Sequence, residues 1–203
     1  GENSCGELGR GSYGNADIPK EGKIEGLTGI VSVDAGGHHT LALDGNGNVW
    51  SWGKNAKGEL GNGTTQNAAA PSTVAQFVKA IAAGSNHSLA VLNDGGILSW
   101  GDNAYGQLGE TAGGKRTTPA ILVNLEGVKA VAAGMNHSVA LLNDGTVWTW
   151  GKNQNGQLGD GTYTTRKLPV KVTGISAVKE IEAGYAHSMA VTEDGKLYSW
   201  GSN

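Results

Sequence analysis

GMNHSVALLNDGTVWTWGKNQNGQLGDG, residues 134–161, decides the fold, because close copies of it recur along the chain. AGGHHTLALDGNGNVWSWG begins at Ala35, AGSNHSLAVLNDGGILSWG at Ala83, AGMNHSVALLNDGTVWTWG at Ala133 and AGYAHSMAVTEDGKLYSWG at Ala183. Successive copies therefore start 48, 50 and 50 residues apart. A second block, GELG at Gly6 and Gly58 and GQLG at Gly106 and Gly156, keeps step with the first. Two motifs locked to one period make a tandem repeat, and a period of this length belongs to propellers, solenoids or arrays.

Inside one repeat the apolar period is two, which predicts strands. Ala130 to Ala133 ends one run, His137 to Leu142 makes a second and Thr146 to Trp150 a third. Asn143-Asp144-Gly145 joins the last two as a tight hairpin in which Gly supplies positive φ. A weaker fourth strand is expected after each proline, as in Pro169-Val170-Lys171-Val172, because a residue without an N–H suits a sheet edge. Four antiparallel strands per fifty residues make one propeller blade.

Both alternating sets of Ser138-Val139-Ala140-Leu141-Leu142 are apolar, so the sheet is expected to be covered on both faces by its neighbours. Trp148 and Trp150 lie two apart, as do Trp50 and Trp52, and the pair becomes Leu98 with Trp100 and Tyr198 with Trp200. Each pair projects to one face as a wedge between adjacent blades.

The fold class expected is thus all-β, a propeller of four-stranded antiparallel blades. Its 203 residues form one domain of four repeats, 1–52, 53–100, 101–150 and 151–203. The first repeat is the most irregular: Asp17 to Val33 is longer than its counterparts and predicts a looser edge blade. Whether four repeats are a fragment of a longer propeller, an open array or a small closed ring is left open at this point.

Composition removes several function classes. With 15 basic against 18 acidic residues and a formal charge of −3, there is no basic stripe for nucleic acid. The single cysteine, Cys5, makes no internal disulfide, and no Cys/His cluster has zinc spacing. No run of 18 apolar residues predicts membrane insertion. Neither GxxxxGKS nor a strand-linked GxGxxG is present, so no nucleotide cofactor is expected.

With AGxxHS, a DG hairpin, a WG pair and GxNxxGQLG in this order four times, the chain resembles the family named after the regulator of chromosome condensation. The resemblance covers essentially all 203 residues and implies a propeller of four-stranded blades, usually seven of them. It also implies a range of functions. The founding member exchanges nucleotide on a small GTPase, a plant relative senses ultraviolet light through clustered tryptophans, and a bacterial relative inhibits β-lactamases by binding them. In the light sensor extra tryptophans follow the AG of AGxxH; here those places hold Gly37, Ser85, Met135 and Tyr185, which argues against photoreception.

His39, His87, His137 and His187 occupy the same place in each repeat. One copy per blade points to a framework role, an imidazole tying one strand to a neighbouring backbone, and to neither catalysis nor metal binding. Trp52, Trp100, Trp150 and Trp200 are likewise read as core. Alternate turns of an antiparallel meander emerge on one side, so the variable pairs within AGxxH should share a face with the GQLG exit loops. That face is expected to display His38, Asn86, Met135, Asn136 and Tyr185 beside Tyr105, Tyr163, Arg116 and Arg166, residue types that anchor interfaces.

The expected role is a non-enzymatic module that binds a protein partner, with no cofactor and no catalytic residue. Nucleotide exchange on a small GTPase is the alternative, although no inserted wedge hairpin of the founding member's kind is found. A self-associating segment of a larger surface or filament protein is a further one, since exposed edge strands seek pairing.

Overall fold

The computed structural model describes residues 1–14, 21–123 and 125–203. The first sheet is β1 (Ile30–Ala35), β2 (His39–Asp44), β3 (Val49–Gly53) and β4 (Ala68–Ala75). The second is β5 (Val78–Ala83), β6 (His87–Leu92), β7 (Ile97–Asp102) and β8 (Lys115–Leu122). The third is β9 (Val128–Ala133), β10 (His137–Leu142), β11 (Val147–Gly151) and β12 (Arg166–Lys171). The last has three strands, β13 (Val178–Ala183), β14 (His187–Thr192) and β15 (Leu197–Gly201). Each is an antiparallel meander in chain order, as the repeat predicts.

The local motifs behave as their chemistry requires. In the β10–β11 hairpin Leu142 N donates to Thr146 O at 2.9 Å, Asp144 Oδ1 accepts from Thr146 N, and Gly145 takes φ +76. Gly151, which closes the WG pair, has φ +103, and a Cβ there would stand 2.5 Å from Asn136 O. The GxNxxGQLG turn is built around Asn153, which is fully buried: its Oδ1 accepts from Leu158 N at 2.9 Å while its Nδ2 donates to Thr162 O and Thr164 O.

One expectation is corrected. The fourth strand does not begin after the proline: β4, β8 and β12 start before Pro71, Pro119 and Pro169 and run through them. The proline lies on the outermost strand, where the missing N–H is harmless, and the register shifts there, between Thr149 and Gly151 in the third sheet. The first sheet has all four strands and packs on the second alone, at one end of the row, while the last sheet has three described strands. Part of the irregular Asp17 to Val33 segment, residues 15–20, lies outside the described residues.

Apolar packing is divided among the seams between sheets. Leu41, Leu43 and Val49 of the first sheet meet Val78, Ile81, Ala90 and Trp100 of the second. Leu89, Val91 and Ile97 of the second meet Val128, Ala140 and Trp150 of the third. Val139, Leu141 and Val147 of the third meet Val178, Ile181 and Ala190 of the last. A sheet so packed is apolar on both faces because both are interior, the physical reason for the doubly apolar β10. The inner strands β1, β5, β9 and β13 line one common cavity.

Every complete sheet straddles two sequence repeats, since the exit loop and fourth strand come from the repeat after the one that supplies the first three strands. The exit loop in turn grips the next sheet: Trp100 Nε1 donates to Glu59 O at 2.7 Å, Trp150 Nε1 to Gln107 O at 2.8 Å and Trp200 Nε1 to Gln157 O at 2.9 Å. Trp52 makes the same bond to Glu7 O at 2.8 Å, so residues 1–14 stand where the exit loop of a preceding sheet would stand.

Candidate functional site: the loop face

The histidines resolve first, because a serine next to an imidazole invites a catalytic reading. His39 Nε2 lies 2.9 Å from Ser88 Oγ, His87 Nε2 2.9 Å from Ser138 Oγ and His137 Nε2 3.0 Å from Ser188 Oγ, each pair crossing a seam between sheets. Ser138 Oγ gives its only proton to Gln107 O at 2.8 Å, and Ser88 and Ser188 do likewise to Glu59 O and Gln157 O. The hydroxyl can therefore only accept from the ring, so each of these three imidazoles is the Nε2–H tautomer and cannot take the serine proton through Nε2. Both partners of the His87–Ser138 pair are fully buried. These are latches: the imidazole reaches the neighbouring backbone through a serine and not directly, as the sequence reading had it.

The loop face itself forms as the meander requires. The β9–β10 turn, which carries Met135 and Asn136, and the exit loop after β11, which carries Lys152, Asn155 and Gln157, line one cleft of about 220 Å³ with Tyr185, Ala186 and Ser202. The turns also join one another: Gly37 N donates to Gly84 O, Ser85 N to Gly134 O and Met135 N to Tyr185 O, the last at 3.1 Å. This ladder ties the AGxxH turns together at the mouth of the central cavity, with Met135 and Tyr185 beside it.

Of the nine residues expected on this face, the structure brings Met135, Asn136 and Tyr185 together in the cleft. Tyr185 is 69% exposed, whereas Asn136 is buried and its carbonyl is taken by Lys152 N. Tyr105 joins through Lys152, whose Nζ lies 5.1 Å from its ring centroid, a cation–π contact. Tyr163 is 75% exposed in its exit loop. Arg116 and Arg166 are engaged within their own loops, Arg116 with Glu110 and Arg166 Nε with Asp160 Oδ2 at 2.8 Å. Asn86 is half-buried on the second sheet, and its carbonyl accepts from Asp102 N.

His38 lies away from the cleft, with Nδ1 3.5 Å from Glu7 Oε1 and 3.9 Å from Glu2 Oε2. Those three side chains converge closely enough to hold a cation, though Glu2 and His38 are open to solvent. Sequence reasoning missed Lys152, Asn155 and Gln157. The available signal was their place directly after the WG pair, in the loop that parity puts on the same face as the AGxxH turn.

The match to known proteins follows the fold. The model for the RCC1-like domain matches residues 1–203. The Protein RCC2 homolog of Xenopus laevis is 46% identical over 70 residues, which is 34% of this chain and 13% of that protein. Among solved structures, Prp20p from Saccharomyces cerevisiae superposes with a TM-score of 0.84 at 30% identity, covering 100% of this chain and 52% of that one. Human WBSCR16 gives 0.81 at 26% identity, covering 95% and 55%. The chain thus spans about half the length of these solved relatives. With its motifs, its meander sheets and its seams in agreement, the chain belongs to the RCC1-like domain family.

Proposed function

We propose that this chain is a non-enzymatic protein-interaction module that engages a partner protein through its loop face, centred on Met135 and Tyr185. The observation that carries the reading is the cleft that these two residues line with Lys152, beside the hydrogen-bonded turn ladder. An exposed tyrosine and a polarizable methionine around one concavity are residue types that interfaces favour. Relatives lend support: yeast RCC1 (Prp20) is solved bound to Kap60, and Prp20p is described with binding properties to Gsp1p and histones. Burial of His39, His87 and His137 against seam serines supports a framework role for these three rings.

The test is direct binding of the chain to a panel of purified proteins, small GTPases and histones included, with the Met135→Ala/Tyr185→Ala double variant alongside. The expected result is binding that weakens at least about tenfold in the variant, as loss of an interface anchor gives, with unchanged thermal unfolding. Binding indifferent to the double substitution would place recognition elsewhere. The similarity to Prp20p over the whole chain favours one second reading, nucleotide exchange on a small GTPase. Faster nucleotide release from a GTPase in the panel would support it, and silence across the panel would remove it.

A further inference from the structure

The turns that do not emerge on the loop face, namely the DG hairpins and the links from one sheet to the next, form the opposite face of the array. Where the second sheet passes into the third, that face holds a groove of about 550 Å³. One wall is the β6–β7 hairpin at Asp94, Gly95 and Gly96, and the other is the end of β8 with the link that follows it, from Ile121 to Gly127. The second and third sheets are each packed on both faces by sheets of this chain, so the groove belongs to the interior of the row.

The other repeats serve as internal controls for its chemistry. The hairpin aspartate recurs as Asp144 and Asp194, and each of those has a base at hand. Lys196 Nζ lies 2.8 Å from Asp194 Oδ2, and Lys171 is within electrostatic reach of Asp144. In the second sheet both bases are gone. Gly96 holds the place of Lys196, and Ile121, paired with Leu98 as Lys171 is with Trp148, holds the place of Lys171. Val123 likewise stands where the third sheet has Thr173, and Glu126 where it has Ser176.

These exchanges leave apolar surface and negative charge side by side. Ile121 is 61% and Val123 68% exposed, although the repeat places polar residues at both positions without loss of the fold. Asp94 Oδ1 accepts from Gly96 N at 2.9 Å, and neither Asp94 nor Glu126 pairs with a lysine or arginine among the described residues. A further departure lies on the same face. Phe77, whose carbonyl accepts from Asn93 N next to Asp94, has φ +61 where Gly29 and Gly127 have +66 and +67. Its ring is 71% exposed, so packing does not offset the left-handed backbone, a pattern that marks functional surfaces.

We infer that this groove is a second docking site, whose occupant is a peptide segment of a partner protein that sets an apolar side chain against Ile121 and Val123 and basic residues on Asp94 and Glu126. The charge decides the class of occupant. Two carboxylates without a base attract lysine or arginine and repel the phosphates of nucleic acid and of anionic lipid. A short segment fits a groove of this size, with the apolar contact supplying affinity and the charges supplying selectivity.

Selection of short random peptides displayed on phage against the 203-residue chain tests this. The expected consensus has lysine or arginine beside apolar residues. Titrated as synthetic peptides, the selected sequences should bind Ile121→Lys at least about tenfold more weakly, as loss of an interface anchor gives. They should also weaken on Asp94→Asn/Glu126→Gln and with rising salt. Thermal unfolding of Ile121→Lys should be unchanged, because the position is exposed and the third sheet carries Lys171 there. A consensus without basic residues, or peptides that bind Ile121→Lys as well as wild type, would overturn the inference. A doubled particle mass in light scattering that is lost in Ile121→Lys would give the groove to a second copy and overturn it too. Met135→Ala/Tyr185→Ala should bind these peptides unchanged, so the groove and the loop face stand or fall separately.

Discussion

Gly84 lies edge-on against the imidazole of His87: a Cβ on Gly84 would stand 2.3 Å from His87 Cε1 and 2.6 Å from Gly134 O of the next sheet. The glycine of AGxxH is therefore fixed by close approach. Its φ is not in the left-handed region, so the constraint is one of space and not of backbone strain. Gly134 and Gly184 show the same approach to His137 and His187, at 2.2 Å each.

Gly84→Ala should accordingly break the His87 latch by displacing the ring. The expected loss is about 1–3 kcal/mol, the scale of an overpacked core, measured by urea unfolding. Gly11→Ala, where a Cβ meets nothing within 4 Å but φ is +80, is the contrasting case of backbone strain without a clash. Equal effects at the two sites would show that the ring contact is unimportant.

Ser138→Ala removes one hydroxyl and leaves two buried groups, His87 Nε2–H and one lone pair of Gln107 O, short of a partner. An orphaned buried donor costs about 1–3 kcal/mol, and Trp150 Nε1 still serves Gln107 O. Ser138→Thr, which keeps the hydroxyl as Thr40 does in the first sheet, is expected to recover part of the loss. The measurement is the shift in denaturant midpoint at constant m-value.

The latches also set an acid limit. Burial is the main cause that holds His39 and His137 down to about 4 and His87 to about 3, with Lys54 adding for His39, His137 for His87 and His187 for His137. A folded pKa below the ordinary 6.5 means the unfolded chain takes up protons that the folded one refuses. The contribution is whole above about pH 6.5 and is lost as pH falls towards 4, at about 1.4 kcal/mol per ring per unit. Unfolding midpoints followed between neutral pH and about 4.5 should fall steeply, and more shallowly in His87→Asn. A flat profile in that window would show that the rings do not stay neutral in the fold.

Glu59 is a buried carboxyl at a position that holds glutamine in the next two repeats. Its Oε2 accepts from Lys57 N at 2.6 Å, but Oε1 has no partner, whereas Gln107 Nε2 donates to Asp102 Oδ2 at 3.1 Å. Burial pushes the Glu59 carboxyl up, against its backbone hydrogen bonds and Lys54, and Asp102 adds to the rise. Glu59→Gln should stabilise by about 1 kcal/mol at neutral pH. Because a raised pKa lets the folded wild type bind a proton more readily than the unfolded chain, the advantage of the variant should shrink as pH falls. A variant no more stable than wild type at neutral pH would mean that Oε1 is satisfied in solution.

The strands were legible because their signals are local. The period of two through His137 to Leu142 and the Asp144-Gly145 hairpin concern residues within a few positions of each other, and β10 has the bounds the sequence predicts. Membership of the fourth strand was less so: a proline marks an edge, but it marks neither the start of a strand nor which three strands that edge completes.

By itself the sequence determined the repeat, the strands within it, the all-β propeller class and the side on which AGxxH meets GQLG, since each follows from spacing along a single chain. Tertiary structure alone decided that His87 meets Ser138, that Asn136 is buried while Tyr185 is open, and that Lys152 joins the cleft. In four near-identical copies every such residue looks alike. What separates them is which side chain stands across a seam some fifty residues away, and a repeating sequence writes that partner nearly the same way in every copy.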